Sequence, residues 1–471
     1  MLSGEVIYMR KNESERRPSR LRMLSMAGLI LAVLLMASCR QIIFIPIPGE
    51  KEDPNTSTVV SPYIATGAEN LQELISMDTD KPLYIDVPDT ANIGFAAGNE
   101  LTIPSGTEVH MTVNGQIGLQ SDGGSRISGR AVNAVNPADY DLVQFDDGSW
   151  VPENEEPLIT VRSGAKLYLS GIGRIGNPID DNPSTTLIHV EEGGELTIDG
   201  DITFVSFPHK DESPIKQATI YSDGKLTITG GDFFGTYHTI QTGIGSELII
   251  TGGTFASIAC TSLYTSHAYT IVSNSTSTIT GGTIYGLQGA FSQAAGSGEI
   301  YNVYAEASTD IFNNINTVNP EVKAELATYY DLNAKDETTS ENPCTNIYHA
   351  FYIAGEDGLV DKVAVNGGTF KSEMGYALNV GNSADGGEGW KAVAEVKGGS
   401  FESVYNKAVN CSEGKDGYGE GYLQISGGRF KGNNSIIANV GIDTDNLAPG
   451  YVVSDAADGE GYFEIIKTTT P

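Results

Sequence analysis

The sequence predicts an all-β chain wound as a single-stranded right-handed parallel β-helix. A short helix is expected to cap its N-terminal end and a β-hairpin to close the other. Three observations carry this: an octapeptide with a central Gly-Gly recurs, its copies are spaced in the twenties, and each alternates apolar with polar side chains. The best copy, Leu226-Thr227-Ile228-Thr229-Gly230-Gly231-Asp232-Phe233, returns as Leu248–Phe255, Val363–Phe370, Ala394–Phe401 and Leu423–Phe430, and in shortened form as Thr278–Ile284. Degenerate copies stand at 167–171 and 196–200.

The first glycines fall at 171, 200, 230, 252 and 281, then at 367, 398 and 427. Steps of 29, 30, 22 and 29 residues are followed by one of 86, read as about three steps, and then by 31 and 29. A short period with variable loops marks a solenoid, whereas a propeller blade needs about 40–45 residues. Within a copy Leu226, Ile228 and Phe233 face one way and Thr227 and Thr229 the other, as a strand requires. Helical repeats are excluded by this alternation. Stacked coils should then build ladders of Leu226 on Leu248, of Ile228, Ile250 and Ile279, and of Phe370, Phe401 and Phe430. The Gly-Gly pair permits a sharp bend, either by positive φ or by close backbone approach. Roughly twelve coils ~4.8 Å apart give a rod about 60 Å long.

The ends are expected to be closed, because an apolar stack cannot face water. Leu71, Leu74 and Ile75 share one face of a short helix, and Leu83–Val87 alternates as the first strand. The solenoid is expected over 66–440. The stretch 307–343, rich in Asn, Thr and Glu, breaks the pattern and should leave the stack as a lateral loop. Residues 441–471 read as a closing hairpin.

Ahead of the body, six basic side chains from Arg10 to Arg22 precede an apolar run from Met23 to Met36, which ends in Met36-Ala37-Ser38-Cys39. The run is too short to span a bilayer stably, and small residues precede the cysteine. The segment resembles a lipoprotein signal peptide over 1–38. That resemblance implies lipidation of Cys39, with export and a membrane anchor as consequences. Arg40, rather than Asp, after the cysteine resembles the outer-membrane sorting pattern. A Pro-, Ser- and Thr-rich spacer over 39–65 would join anchor to body.

The net charge is −32, and without the first 38 residues it is −35. Such a body repels phosphate backbones, so nucleic acid is excluded as a partner. The same charge suits Ca2+, yet acidic turns such as Asp180-Asp181 and Asp416-Gly417 lack the ordered ligand spacing of a calcium loop. Besides Cys39, the cysteines are Cys260, Cys344 and Cys411, widely spaced and without a CxxC pair, so no zinc site or disulfide framework is indicated.

The repeat as a whole resembles the pectate-lyase-like β-helix superfamily, and more closely its "TITGGTF" members among bacterial surface proteins. The clear motif covers 165–430. It implies the fold and is nearly silent about activity. Tails like the Leu447–Val453 segment close related repeat proteins, which implies a cap here. Lyases and glycosidases on this fold use carboxylates on neighbouring coils, so Asp199, Asp201 and Asp232, with Lys225 as the nearest base, are the catalytic candidates. Against them, the position after Gly-Gly reads Asp232, Thr254, Thr283, Thr369, Ser400 and Arg429, a plain outward polar row. His209, His238 and His267 are spaced 29 and 29 apart; only the first two hold register, which makes His209 and His238 the metal candidates, against a reading as exposed loop histidines. Tyrosines beside Asn and Asp could stack on sugar rings, against a reading in which they fill the interior. The expected function is non-catalytic binding or adhesion by a monomeric, lipid-anchored rod, with glycans or surface proteins as partners. The alternatives are a surface polysaccharide lyase or glycoside hydrolase, and a structural envelope component.

Overall fold

The protein is a parallel β-helix, described here from a computed structural model. The structure describes residues 62–77, 81–95, 100–119, 142–144, 150–152, 157–176, 186–206, 218–235, 238–258, 269–329, 349–354, 360–381, 391–412 and 420–468. All lie in one compact unit spanning Val60–Pro471. Three long sheets run along it, of twelve, thirteen and ten strands. Each coil contributes one strand to each sheet in turn, and successive coils pair in parallel.

The ladders form in the expected register. Leu226 pairs with Leu248, and Ile228 with Ile250, which pairs with Ile279 in the next coil. Phe370, Phe401 and Phe430 stack at ring-centre separations of 5.0 and 4.8 Å, tilted by only 12° and 6°. Each of these side chains is fully buried in one continuous core.

The two glycines of each pair do different work. The second sits in the left-handed region, at φ +93° for Gly231, +94° for Gly253 and +99° for Gly282. A side chain there would be strained in any surroundings. The first is excluded from carrying a side chain by its neighbour: a Cβ on Gly252 would lie 2.3 Å from the Thr229 carbonyl oxygen, and one on Gly281 2.3 Å from that of Thr251. Bend and close stacking are thus assigned to separate residues.

The gap of 86 residues is two steps, not three. Ile279 pairs with Ile300 and Thr283 with Tyr304, so Asn302-Val303 takes the Gly-Gly place of an intervening coil. Val303 buries its side chain at the bend. This single intervening coil carries no glycine pair.

Helix α1 (Ala68–Ile75) buries Leu71 and Ile75 over the first coil. Strand Tyr63–Ile64, inside the stretch expected to be spacer, already pairs with Ile85 and Asp86, so the body begins slightly earlier. At the far end Phe463–Lys467 runs antiparallel to Arg429–Lys431 and to Tyr451–Val453, closing the second sheet with a hairpin. Tyr462 anchors it. Its hydroxyl donates to Glu402 at 3.0 Å, and Arg429 lies 4.3 Å above its ring.

The third sheet departs from the simple oily interior. Ser222, Thr242, Ser273 and Gln293 follow one another through successive coils. The Gln293 amide donates to the carbonyl oxygens of Ser275 and Ala295 at 2.8 and 2.6 Å, and Ser277 donates to Gln293 Oε1 at 2.5 Å. Burial of Thr242, Ser273 and Gln293 is tolerated because they satisfy one another and the corner backbone, whereas the Ser222 hydroxyl has no hydrogen-bond partner among the described residues.

The largest departure follows Ala307. Helices α2 (Ile311–Val318) and α3 (Pro320–Tyr329) replace the expected loop. Their apolar side chains Ile311, Ile315, Val322 and Leu326 cover an apolar stripe on the outside of the second sheet, formed by Val205, Phe234, Ala256, Ile258 and Leu287. The helices therefore run back along the rod towards its N-terminal coils, as a strap.

Candidate functional site

The strap ends against the first coils. Arg174, on the outward row of the second sheet, donates from both terminal nitrogens to the Glu325 carboxylate at 2.5 and 2.9 Å. These residues are 151 positions apart in sequence. Both are largely shielded, which makes this bidentate pair stronger than an exposed one. Asn319, at the start of α3, accepts the Val322 amide on Oδ1 at 3.1 Å and reaches Thr203 Oγ1 with Nδ2 at 3.5 Å.

Between strap and coils lies a cleft of about 350 Å³. Its floor is the corner between the first and second sheets, where Asp89, Asn114 and Ile172 stand on consecutive coils. The outward row Asn92, Gln116, Arg174 and Thr203 forms one side, in register from coil to coil. Asn319, Glu321 and Val322 of the strap form the other. The lining is amide- and carboxylate-rich, and Ile172 contributes an exposed apolar edge. Such a surface matches ligands with many hydroxyl or amine hydrogens.

None of the catalytic candidates lines this cleft, and they do not assemble as one set. Asp232 follows Thr203 in the outward row, and the charge of Asp201 acts on it. Asp199 instead accepts a hydrogen bond from Thr229 Oγ1 at 2.8 Å. Lys225 belongs to the outer face of the first sheet, in a row reading Glu108, Lys166, Glu195, Lys225, Glu247. It pairs there with Glu247 at 2.9 Å, as Lys166 pairs with Glu195 at 3.0 Å. The expected base is a rung in a ladder of alternating charge.

Asp232 remains chemically distinctive. Burial pushes its carboxyl above the ordinary range, the Asp201 charge adds to this, and a hydrogen bond with Thr254 opposes it. In the unfolded chain the carboxyl ionises at its ordinary value, so over the window from there to the raised value the folded state holds more protons. Stability contributed by Asp232 is therefore lost as pH rises through that window. Asp232→Asn should stabilise the protein at pH 7 relative to the parent, and the difference in melting temperature should vanish below about pH 4. A variant less stable than the parent at pH 7 contradicts this reading.

Of the metal candidates, His209 lies outside the described residues. His238 is not on an exposed loop: it opens a strand of the third sheet, is 7% exposed, and its Nδ1–H donates to the Tyr269 carbonyl oxygen at 2.5 Å. It was misread because no glycine marks the third-sheet strands. Among the described residues no group of three or more His, Cys, Asp or Glu is placed to hold a metal ion. The acidic turns at Asp180 and Asp416, and Cys39, Cys260 and Cys344, also fall outside them. Burial, with Asp443 nearby, pushes the Cys411 thiol up to about 11.

Among the described residues, several tyrosines pack against other rings: Tyr269 on Tyr352, Tyr285 on Tyr304, and others on histidines. Tyr84, His110 and Tyr168 stack along the rod at 4.8 and 4.4 Å, with planes within 18° and 7°. Ring faces in such a column point along the axis, so solvent meets edges instead of the faces that sugars use.

Sequence reasoning missed a second group, on the third sheet. His189 Nε2 lies 3.2 Å from Asp223 Oδ2, and Tyr221 shares the same carboxylate. Burial first, and then Asp223, push the Tyr221 phenol up to about 12. A Cβ on Gly243 would fall 2.0 Å from Asp223 Oδ1, so the glycine makes room for the acid. It also missed Arg174, Asn319 and Glu325, whose partners lie far away in sequence.

Comparison with known proteins adds no relative: no family model, no curated protein and no solved structure matches the chain.

Proposed function

We propose that the protein is a lipid-anchored rod of the cell surface, outer membrane included, that binds glycans or protein partners without turning them over. The observation that carries this is the strap-walled cleft, whose walls come from coils and insertion together and whose polar groups suit recognition. The engagement of Lys225 and Asp199 elsewhere weighs towards binding. The signal-peptide resemblance supports Cys39 as the lipid-bearing residue, and Cys39→Ser should abolish incorporation of labelled palmitate and release the protein from membranes. Retention of label in that variant contradicts the anchor.

A second reading, a surface polysaccharide lyase or glycoside hydrolase, draws on one observation. Asp232, raised above the ordinary carboxyl range beside Asp201, has the character of a general acid. The experiment that separates the two is a glycan array with the full chain, paired with assays for unsaturated and reducing-end products. Binding without product is the expected result. Product formation that disappears in Asp232→Asn selects the enzyme instead. No binding and no product leaves the structural envelope role.

A further inference from the structure

The unpaired charge of the cleft and the polar groups around it narrow its ligand. The amide nitrogens of Asn114 and Gln116 are turned to Asp86 Oδ1 and the Gly176 carbonyl oxygen, at 3.4 and 3.3 Å. Their carbonyl ends are left as acceptors. The charge of Arg174 is matched by Glu325, which takes one hydrogen bond from each terminal nitrogen, and both ends of the Asn319 amide are engaged. Asp89 and Glu321, both exposed, add two carboxylates without partners among the described residues. Asn92, Thr90 and Thr203 supply further hydroxyl and amide hydrogens, and Asn114 and Gln116 each keep the second hydrogen of their amide nitrogens.

The cleft thus offers acceptors and donors alike, but its unpaired charges, on Asp89 and Glu321, are both negative, within a chain of net charge −32. A fitting ligand brings donors and positive charge. A bare metal ion does not fit, since the acceptors are spread along the cleft and no three acidic or imidazole groups converge. An extended ligand with several separated donors does. An ammonium offers three hydrogens and sugar hydroxyls offer one each, while Ile172, 65% exposed at the cleft edge, offers a contact for the C–H face of a ring.

We propose that this cleft takes an oligosaccharide bearing free ammonium groups, an amino-sugar polymer, and turns away uronic-acid polymers. The proposal rests on the binding function above and specifies its ligand.

Calorimetry with the full chain in detergent micelles at pH 6 tests it, using glucosamine oligomers, N-acetylglucosamine oligomers of equal length, galacturonate oligomers and oligolysine. Glucosamine oligomers should bind roughly ten-fold tighter than the acetylated ones, the worth of a charge-assisted hydrogen bond. Galacturonate should give no heat of binding. Asp89→Asn combined with Glu321→Gln, both at exposed positions, should remove the preference and leave the melting temperature unchanged. Equal affinity for the acetylated oligomers, binding of galacturonate, or a preference unaltered in the double variant overturns the amino-sugar assignment. Oligolysine binding as tightly as glucosamine oligomers overturns it in favour of a basic peptide. Silence towards every sugar overturns it too; a positive glycan array would then show that the wider binding function survives at another place.

Discussion

Leu326→Asp should free the strap while leaving the rod folded. Leu326 is fully buried with Val322, Ile311 and Ile315 against the stripe of Val205, Phe234 and Ala256. An unpaired carboxylate placed there costs several kcal/mol, more than one pair such as Arg174–Glu325 returns. The strap stripe is a cluster separate from the interior core, so parallel-sheet circular dichroism should hardly change. Uncovering Phe234 should raise dye binding to apolar surface, and proteases should cut within 311–329 far faster than in the parent. The cleft loses the wall made by Asn319, Glu321 and Val322, and with it any affinity for amino-sugar oligomers. Loss of the whole fold, or no gain in protease cleavage, contradicts the strap as described.

Phe401→Ala should have the largest effect on the rod itself, about 3–5 kcal/mol. The ring is fully buried and touches a ring on each side, so no single neighbour can collapse to refill the space. Solenoid stability is a sum over nearest neighbours, so the damage should be local. Native-state hydrogen exchange should show 363–430 opening well before 196–255. Thr369→Ala, outward on the neighbouring strand, should cost under about 0.5 kcal/mol. Uniform weakening of both regions contradicts a stack of semi-independent rungs.

How much of this was legible follows from which side chains carried a periodic signal. First- and second-sheet strands flank the Gly-Gly bend, so their register could be counted from glycines, and the Phe and Ile ladders could be named. The third sheet has no such marker. Its interior row carries Ser222, Thr242, Ser273 and Gln293, which read as polar loop, and His238 was lost with it. One coil too many was expected between Gly281 and Gly367, because the single intervening coil carries Asn302-Val303 in place of Gly-Gly and the strap adds length that is not coil. The strap had a signal that alternation alone does not weigh: Phe234 follows the inward Phe233, and Val205 and Ala256 occupy the matching outward positions of adjacent coils. Three outward apolar residues in register announce a covering element. What covers them was not legible, because nothing in a helix of ten residues records that Glu325 will meet Arg174. The carboxylate candidates were placed on the right coils, but Asp199 and Lys225 were diverted by partners one coil away. Sequence spacing puts residues on a coil; it does not say which neighbour wins them.

An insertion leaving the rod near Ala307 folds back to wall a cleft at the first coils. A distance measurement between spin labels at Asp89 and Glu321, in a full-length chain whose native cysteines are replaced by serine, tests it most directly. A single narrow, short distance is expected, as both positions line the same cleft. A long distance, or a broad spread of distances, would mean that the strap does not reach the first coils and that the cleft does not exist.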